Sequence, residues 1–133
     1  MKNKAVTNKK VYLRTFGCQM NFRDSEFIAG VFLEKGYGLA AGPEEADVVL
    51  FNTCSVREHA EERAISNMGS LLKREVKSEK RKVYGIVGCM AQAKGKELFQ
   101  RLPGLDIVCG TGEIGNLPKL AEAARKRKRR YTR

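Results

Sequence analysis

VVLFNTCSVRE, residues 48–58, is the stretch whose reading decides the fold. Residues 47–52 form a β-branched and apolar run, as expected of a buried strand. Small and polar residues follow it, and Cys54 stands at the first irregular position. Working outward, the arrangement occurs twice more. VYLRTFGCQMN (11–21) brings Cys18 to the end of an apolar run, and VYGIVGCMAQ (83–92) does the same for Cys89. In an open α/β sheet the carboxyl ends of the parallel strands form the ligand-binding edge. Three thiols delivered to that edge are the feature to explain.

The remaining segments alternate around these three. Strands are expected at 10–16, weakly at 38–41, then at 47–52, 82–87 and 106–109. Helices are expected at 22–35, 56–76, 93–101 and 117–126. Asn21 reads as an N-cap and Gly36 as a stop for the first helix, whose apolar positions Phe27, Ile28, Val31 and Phe32 fall on one face. The second helix carries Val56, Ala60, Ala64, Met68, Leu72 and Val76 at four-residue steps. Alternation of this kind predicts an α/β fold: a doubly wound, mainly parallel five-stranded sheet in the order 2-1-3-4-5, with helices on both faces. In that order the strands ending in Cys18, Cys54 and Cys89 are adjacent, roughly 4.8 Å apart.

A chain of 133 residues with 42% hydrophobic content suits one domain with a real core. No apolar run approaches a membrane span, and the start MKNKAVTNKK lacks the apolar stretch of a signal peptide. The expected location is the reducing cytoplasm, where four cysteines read as thiols or ligands rather than as disulfides. The net charge of +11 is localised. Of 26 Lys and Arg, four are Lys2, Lys4, Lys9 and Lys10 and seven lie in RKRKRRYTR (125–133), leaving 15 against all 15 Asp and Glu. The body is neutral, and the terminal run reads either as a solvated linker or as an RNA contact.

From the pattern alone, the three cysteines are either a metal site or small buried thiols that happen to end strands. Their spacings, 36 and 35 residues, are those of successive βαβ units rather than of a local knuckle. Structural zinc wants four ligands and usually closely spaced pairs, so His59 or Cys109 would have to complete it. An iron–sulfur cluster takes thiolates, and three of them leave one iron open. The one histidine, His59, sits on a polar helix stretch and reads as solvated. No nucleophile–base–orienter set is visible.

The flanking residues decide between these readings. TFGCQMN followed by RDSE, FNTCSVREHAEE and VGCMAQ resemble, in order, the N-terminal domain of the MiaB-type tRNA methylthiotransferases, a radical S-adenosylmethionine family. The resemblance covers residues 11–117, and Gln19-Met20-Asn21 is similar to the branch acting on isopentenylated adenosine beside the anticodon. It implies that Cys18, Cys54 and Cys89 ligate an auxiliary [4Fe–4S] cluster with one open iron. It also implies a second cluster that cleaves S-adenosylmethionine, held by a Cys-x-x-x-Cys-x-x-Cys motif in a separate barrel domain that this stretch lacks. Sulfur from a donor would enter C2 of the adenine ring in the tRNA anticodon stem-loop.

On that resemblance residues 1–10 are a basic arm, 11–124 the cluster-binding domain, and 125–133 a tail or linker toward the radical and RNA-binding domains of a longer chain. Gln19, Asn21, Asn52, Thr53 and Gln92 flank the thiols; they serve either as donors to cluster sulfurs or as caps and loop closures. Gly17 and Gly88 let backbone approach the cluster, and Arg57 with Glu58 reads as a helix-start ion pair. Cys109, where the family usually has an apolar residue, reads as a core strand residue, with a fourth-ligand role as the alternative. Two other functions stay open: a ribosomal-protein methylthiotransferase domain, and a non-catalytic flavodoxin-like module that binds RNA.

Overall fold

A computed structural model describes residues 9–16, 19–53, 58–75, 82–127 and 131–132. The elements are β1 (Lys10–Phe16), α1 (Gln19–Glu34), β2 (Gly38–Leu39), β3 (Val48–Thr53), α2 (Glu58–Glu75), β4 (Val83–Gly88), α3 (Cys89–Arg101), β5 (Ile107–Cys109), α4 (Leu117–Arg127) and β6 (Tyr131–Thr132). Short 3-10 turns occupy Pro43–Glu45 and Thr111–Asn116. The strands are all parallel, in the order β2-β1-β3-β4-β5-β6. The five-strand order expected from sequence is therefore present, with β6 added beside β5.

Strand alternation sorts the core into two layers. Val48 and Leu50 of β3 join Val11, Val83, Val87 and Ile107 under α1 and α4, where Ile28, Phe32, Leu117 and Ala121 pack. Val49 and Phe51 join Tyr84, Ile86 and Val108 under α2 and α3, where Ala64, Met68 and Leu98 pack. Each large side chain so buried contributes about 1.5–3 kcal/mol. Central strands covered on both faces explain why residues 47–52 show no polar alternation.

Local chemistry fixes the element ends. Gly36 adopts φ 92°, and its N–H donates to the Leu33 carbonyl (3.0 Å) while the Tyr37 N–H donates to Phe32 (3.1 Å). This is the Schellman stop expected at a glycine, and the Tyr37 ring meets Phe32 edge-on at 5.0 Å to complete its apolar contact. At the amino ends of the strands, Asp47 Oδ2 accepts from the Lys10 N–H and Asp106 Oδ2 from the Tyr84 N–H, both at 2.9 Å. The two aspartates are buried, and each also donates its own N–H back across the sheet at 2.8 Å.

Four expectations need correction. Helix α1 starts at Gln19, so Asn21 lies inside its first turn and is not the N-cap. Helix α3 starts at Cys89 rather than at residue 93, which puts Cys89 on regular helix and Gln92 in the first turn. Gln, Met and Ala are good helix formers, so both first turns extend back toward the strand ends. Phe27 is 55% exposed, and the helix instead buries Ile28 and Phe32. Finally, α4 runs to Arg127, and Tyr131–Thr132 pairs with Ile107–Val108. The charge run concealed that strand because edge pairing uses backbone groups, not side chains. Val56, Arg57 and Val76 lie outside the described residues.

Candidate functional site

The three cysteine segments leave the sheet from one row. Phe16 of β1 is in register with Thr53 of β3, and Thr53 with Gly88 of β4; each is the last residue of its strand. Cys54 follows Thr53 directly, Cys89 follows Gly88, and Cys18 lies two residues after Phe16. Gly17, Cys18 and Cys54 lie outside the described residues, and Cys89 is described as the first residue of α3. Helices α1 and α3 begin at this edge, where unpaired first-turn N–H groups and the helix dipole favour an anionic group.

The chain makes this edge with specific side chains. Asn52 is fully buried on the α1 side, where its Nδ2 donates to Ser25 Oγ at 3.0 Å, and Ser25 Oγ lies 2.5 Å from Thr15 Oγ1. The three residues clamp β1, β3 and α1 together just below the strand ends. Thr53 is also fully buried, on the opposite face, and its Oγ1 has no hydrogen-bond partner among the described residues. A buried unpaired hydroxyl is costly and calls for an acceptor.

Gly88 has φ 117° and ψ −164°, a region open essentially to glycine alone. A Cβ here would overlap the Thr53 carbonyl oxygen and lie 2.9 Å from Asn52 Oδ1. The glycine is thus required by its own conformation and by β3, a more local cause than the cluster approach read from sequence.

Cys109 is in register with Val87, one row below the strand ends. It is 0% exposed among Val87, Ile114 and Leu117, and its thiol donates to the Gly110 carbonyl at 3.3 Å. It is a core residue. Glu58 and His59 start α2, and with Gln19, Asn21 and Gln92 they are described by backbone position only. Among the described residues, no three His, Cys, Asp or Glu side chains converge as a metal site.

Sequence reading missed the strand-end surroundings. Ser25 stands in the RDSE segment that follows TFGCQMN, but its place beneath the strand ends is visible only once α1 lies on the sheet. Arg14 had a signal, being a charge inside the buried-strand run VYLRTF. Its guanidinium lies 4.7 Å from the centroid of the Phe16 ring, and that of Arg63 on α2 lies 5.9 Å from it.

Two clefts made by described residues, of about 350 and 310 Å³, do not touch this edge. The first holds Lys9, Tyr37 and Glu122 at the amino end of the sheet; the second is an apolar dimple between Leu72 and Leu102.

Residues 10–110 match the family model described as Uncharacterized protein family UPF0004. The chain belongs to that family. It is 53% identical over 102 residues to a tRNA-2-methylthio-N(6)-dimethylallyladenosine synthase of Akkermansia muciniphila, an alignment covering 77% of this chain and 22% of the relative. Proteins of the same name from a Sulfurihydrogenibium species and from Solibacter usitatus are 47% identical over 116 residues and 40% over 128. Those alignments cover 87% and 96% of this chain, and 26% and 28% of the relatives. The UPF0004 chain thus spans about a quarter of the length of these curated relatives, and the resemblance read from its three cysteine segments is borne out. No helix among its described residues is long and apolar enough to cross a membrane.

Proposed function

We propose that this chain is the cluster-bearing domain, residues 11–124, of a tRNA methylthiotransferase, and that Cys18, Cys54 and Cys89 hold a [4Fe–4S] cluster with one iron open. The observation that carries the reading is the register row Phe16, Thr53, Gly88. Adjacent strands lie about 4.8 Å apart and consecutive Cα atoms about 3.8 Å, so three thiols leave points spanning about 10 Å. A donor set of three sulfurs fits iron–sulfur chemistry better than a hard cation. The unpaired Thr53 hydroxyl beside Cys54 is a donor suited to a cluster or substrate sulfur, and the two helix starts suit an anionic centre.

When bound, such a centre supplies the sulfur chemistry that side chains cannot perform at an unactivated aromatic carbon. The protein's own residues hold and shape. The thiolates of Cys18, Cys54 and Cys89 would hold the cluster, and Gly88 turns β4 into α3 so that Cys89 follows at the edge. Asn52, Ser25 and Thr15 fix the spacing of β1 and β3 beneath it, and Cys109 stays in the core. In line with the relatives' names, the substrate is an N6-dimethylallyladenosine (isopentenyladenosine) of tRNA, methylthiolated at C2. The resemblance of Gln19-Met20-Asn21 implies the one beside the anticodon. A second cluster that cleaves S-adenosylmethionine would belong to further domains of a longer enzyme, which would also draw on a sulfur donor and work in the cytoplasm.

The test is anaerobic reconstitution with iron and sulfide, followed by iron analysis and visible absorption. The wild-type chain is expected to bind iron with cluster absorbance, and Cys18→Ala, Cys54→Ala and Cys89→Ala to fall to background. Full iron content in any one of these variants removes that cysteine from the ligand set.

A further inference from the structure

Beside the cysteine edge lie two positive charges that no described residue neutralises. Arg14 on β1 and Arg63 on α2 both approach the Phe16 ring, at 4.7 and 5.9 Å from its centroid. Phe16 is the β1 member of the strand-end row. Among the described residues neither guanidinium has a carboxylate partner; the other arginines paired on α2 and α3 are Arg74 with Glu44 and Arg101 with Glu62. Arg14 is held in place instead, its Nη1 donating to Asn67 Oδ1 at 3.4 Å while Asn67 Nδ2 donates to the Arg63 carbonyl at 2.7 Å. One guanidinium suffices to cover the ring. Two like charges beside one ring raise the local positive potential, and the guanidinium donors not taken by Asn67 suit phosphate geometry.

We propose that Arg14 and Arg63 form a phosphate clamp that seats one backbone phosphodiester of the RNA substrate beside the cysteine edge. The inference rests on the tRNA reading above and adds to it the surface that positions the strand. Phe16 supplies an aromatic floor near both guanidinium groups, and Asn67 holds the first of them. The contact is to phosphate, so it orients the RNA without reading its bases.

The experiment is binding of a fluorescent RNA hairpin of anticodon-stem-loop size to the full 133-residue chain, titrated at several salt concentrations. Arg14→Gln with Arg63→Gln is expected to weaken binding roughly tenfold and to lower the slope of log affinity against log salt by about 1 to 2. Lys73→Gln with Arg74→Gln removes equal charge from the far end of α2 and is expected to leave both quantities nearly unchanged. Arg14→Lys with Arg63→Lys keeps the charge, so it is expected to retain the slope while losing affinity. Thermal unfolding of each variant separates a role in covering Phe16, which moves the melting temperature alone.

Unchanged affinity and slope in the double glutamine variant overturn the clamp. So do equal losses in the Lys73/Arg74 control, or failure of the wild-type chain to bind the hairpin. The iron content of the reconstituted chain judges the cluster reading separately in every case.

Discussion

The two ends of the sheet are built on opposite plans. At the amino end polar groups are closed: Asp47 and Asp106 each take a strand N–H at 2.9 Å, Glu122 takes Tyr37 Oη at 2.5 Å and Lys9 Nζ at 3.2 Å, and Lys82 Nζ donates to the Pro43 carbonyl at 2.6 Å. At the carboxyl end the Asn52–Ser25–Thr15 clamp is closed, but groups around it are left open. Among the described residues Thr53 Oγ1 has no hydrogen-bond partner and Arg14 and Arg63 have no carboxylate partner, and Gly88 holds a left-handed conformation. A fold of this size is only marginally stable, so unmet polar groups concentrated at one end mark where ligands complete the structure.

The sharpest way to break the comparison is a glycine pair. Gly88→Ala meets the Thr53 carbonyl in a conformation alanine rarely adopts, and a loss of about 3 kcal/mol in denaturant unfolding is expected. Gly30→Ala on α1 meets nothing within 4 Å and should gain about 0.5–1 kcal/mol. A neutral Gly88→Ala would remove the strain argued for the cysteine edge.

Next come the closed and open polar groups. Asp106→Ala strands the buried Tyr84 N–H and is expected to cost about 2 kcal/mol by the same measurement, while Asp47→Ala, which frees the part-buried Lys10 N–H, should cost about 1 kcal/mol. Thr53→Val keeps the shape and removes the unpaired hydroxyl, so the metal-free chain should be unchanged or stabilised by on the order of 1 kcal/mol. Destabilisation of the metal-free chain by Thr53→Val would show that the hydroxyl already has a partner. The smallest effect is expected at Arg74→Gln, whose pair with Glu44 is 3.7 Å long with both side chains about 70% exposed. A change below about 0.5 kcal/mol is expected there, and a larger one would mean that surface pairs, not buried caps, close the amino end.

Much of this was legible in the sequence for physical reasons. The β-branched and apolar runs at 47–52 and 82–87 read as buried strands, and Gly36 could be read as a stop because its left-handed conformation needs glycine. The helix starts were misread because Gln19 and Cys89 follow the strands with no capping side chain to announce them. The strand at Tyr131 was missed because its pairing with β5 lies in backbone bonds beneath a charge run. At the site, the cysteines and their flanks were visible as a motif. The Asn52–Ser25–Thr15 clamp and the arginines on Phe16 were not, because they join residues brought together only by α1 and α2 lying on the sheet.

The most direct test of the central claim follows each cysteine on its own by mass spectrometry after brief iodoacetamide treatment, with and without anaerobic iron–sulfide reconstitution. The account predicts that Cys18, Cys54 and Cys89 are alkylated in the metal-free chain and protected together in the reconstituted one. Cys109, sealed in the core, should stay unreactive in both until denaturant is added. Alkylation of any of the three edge cysteines at the same rate with and without iron, or protection of Cys109 that depends on iron, would contradict it.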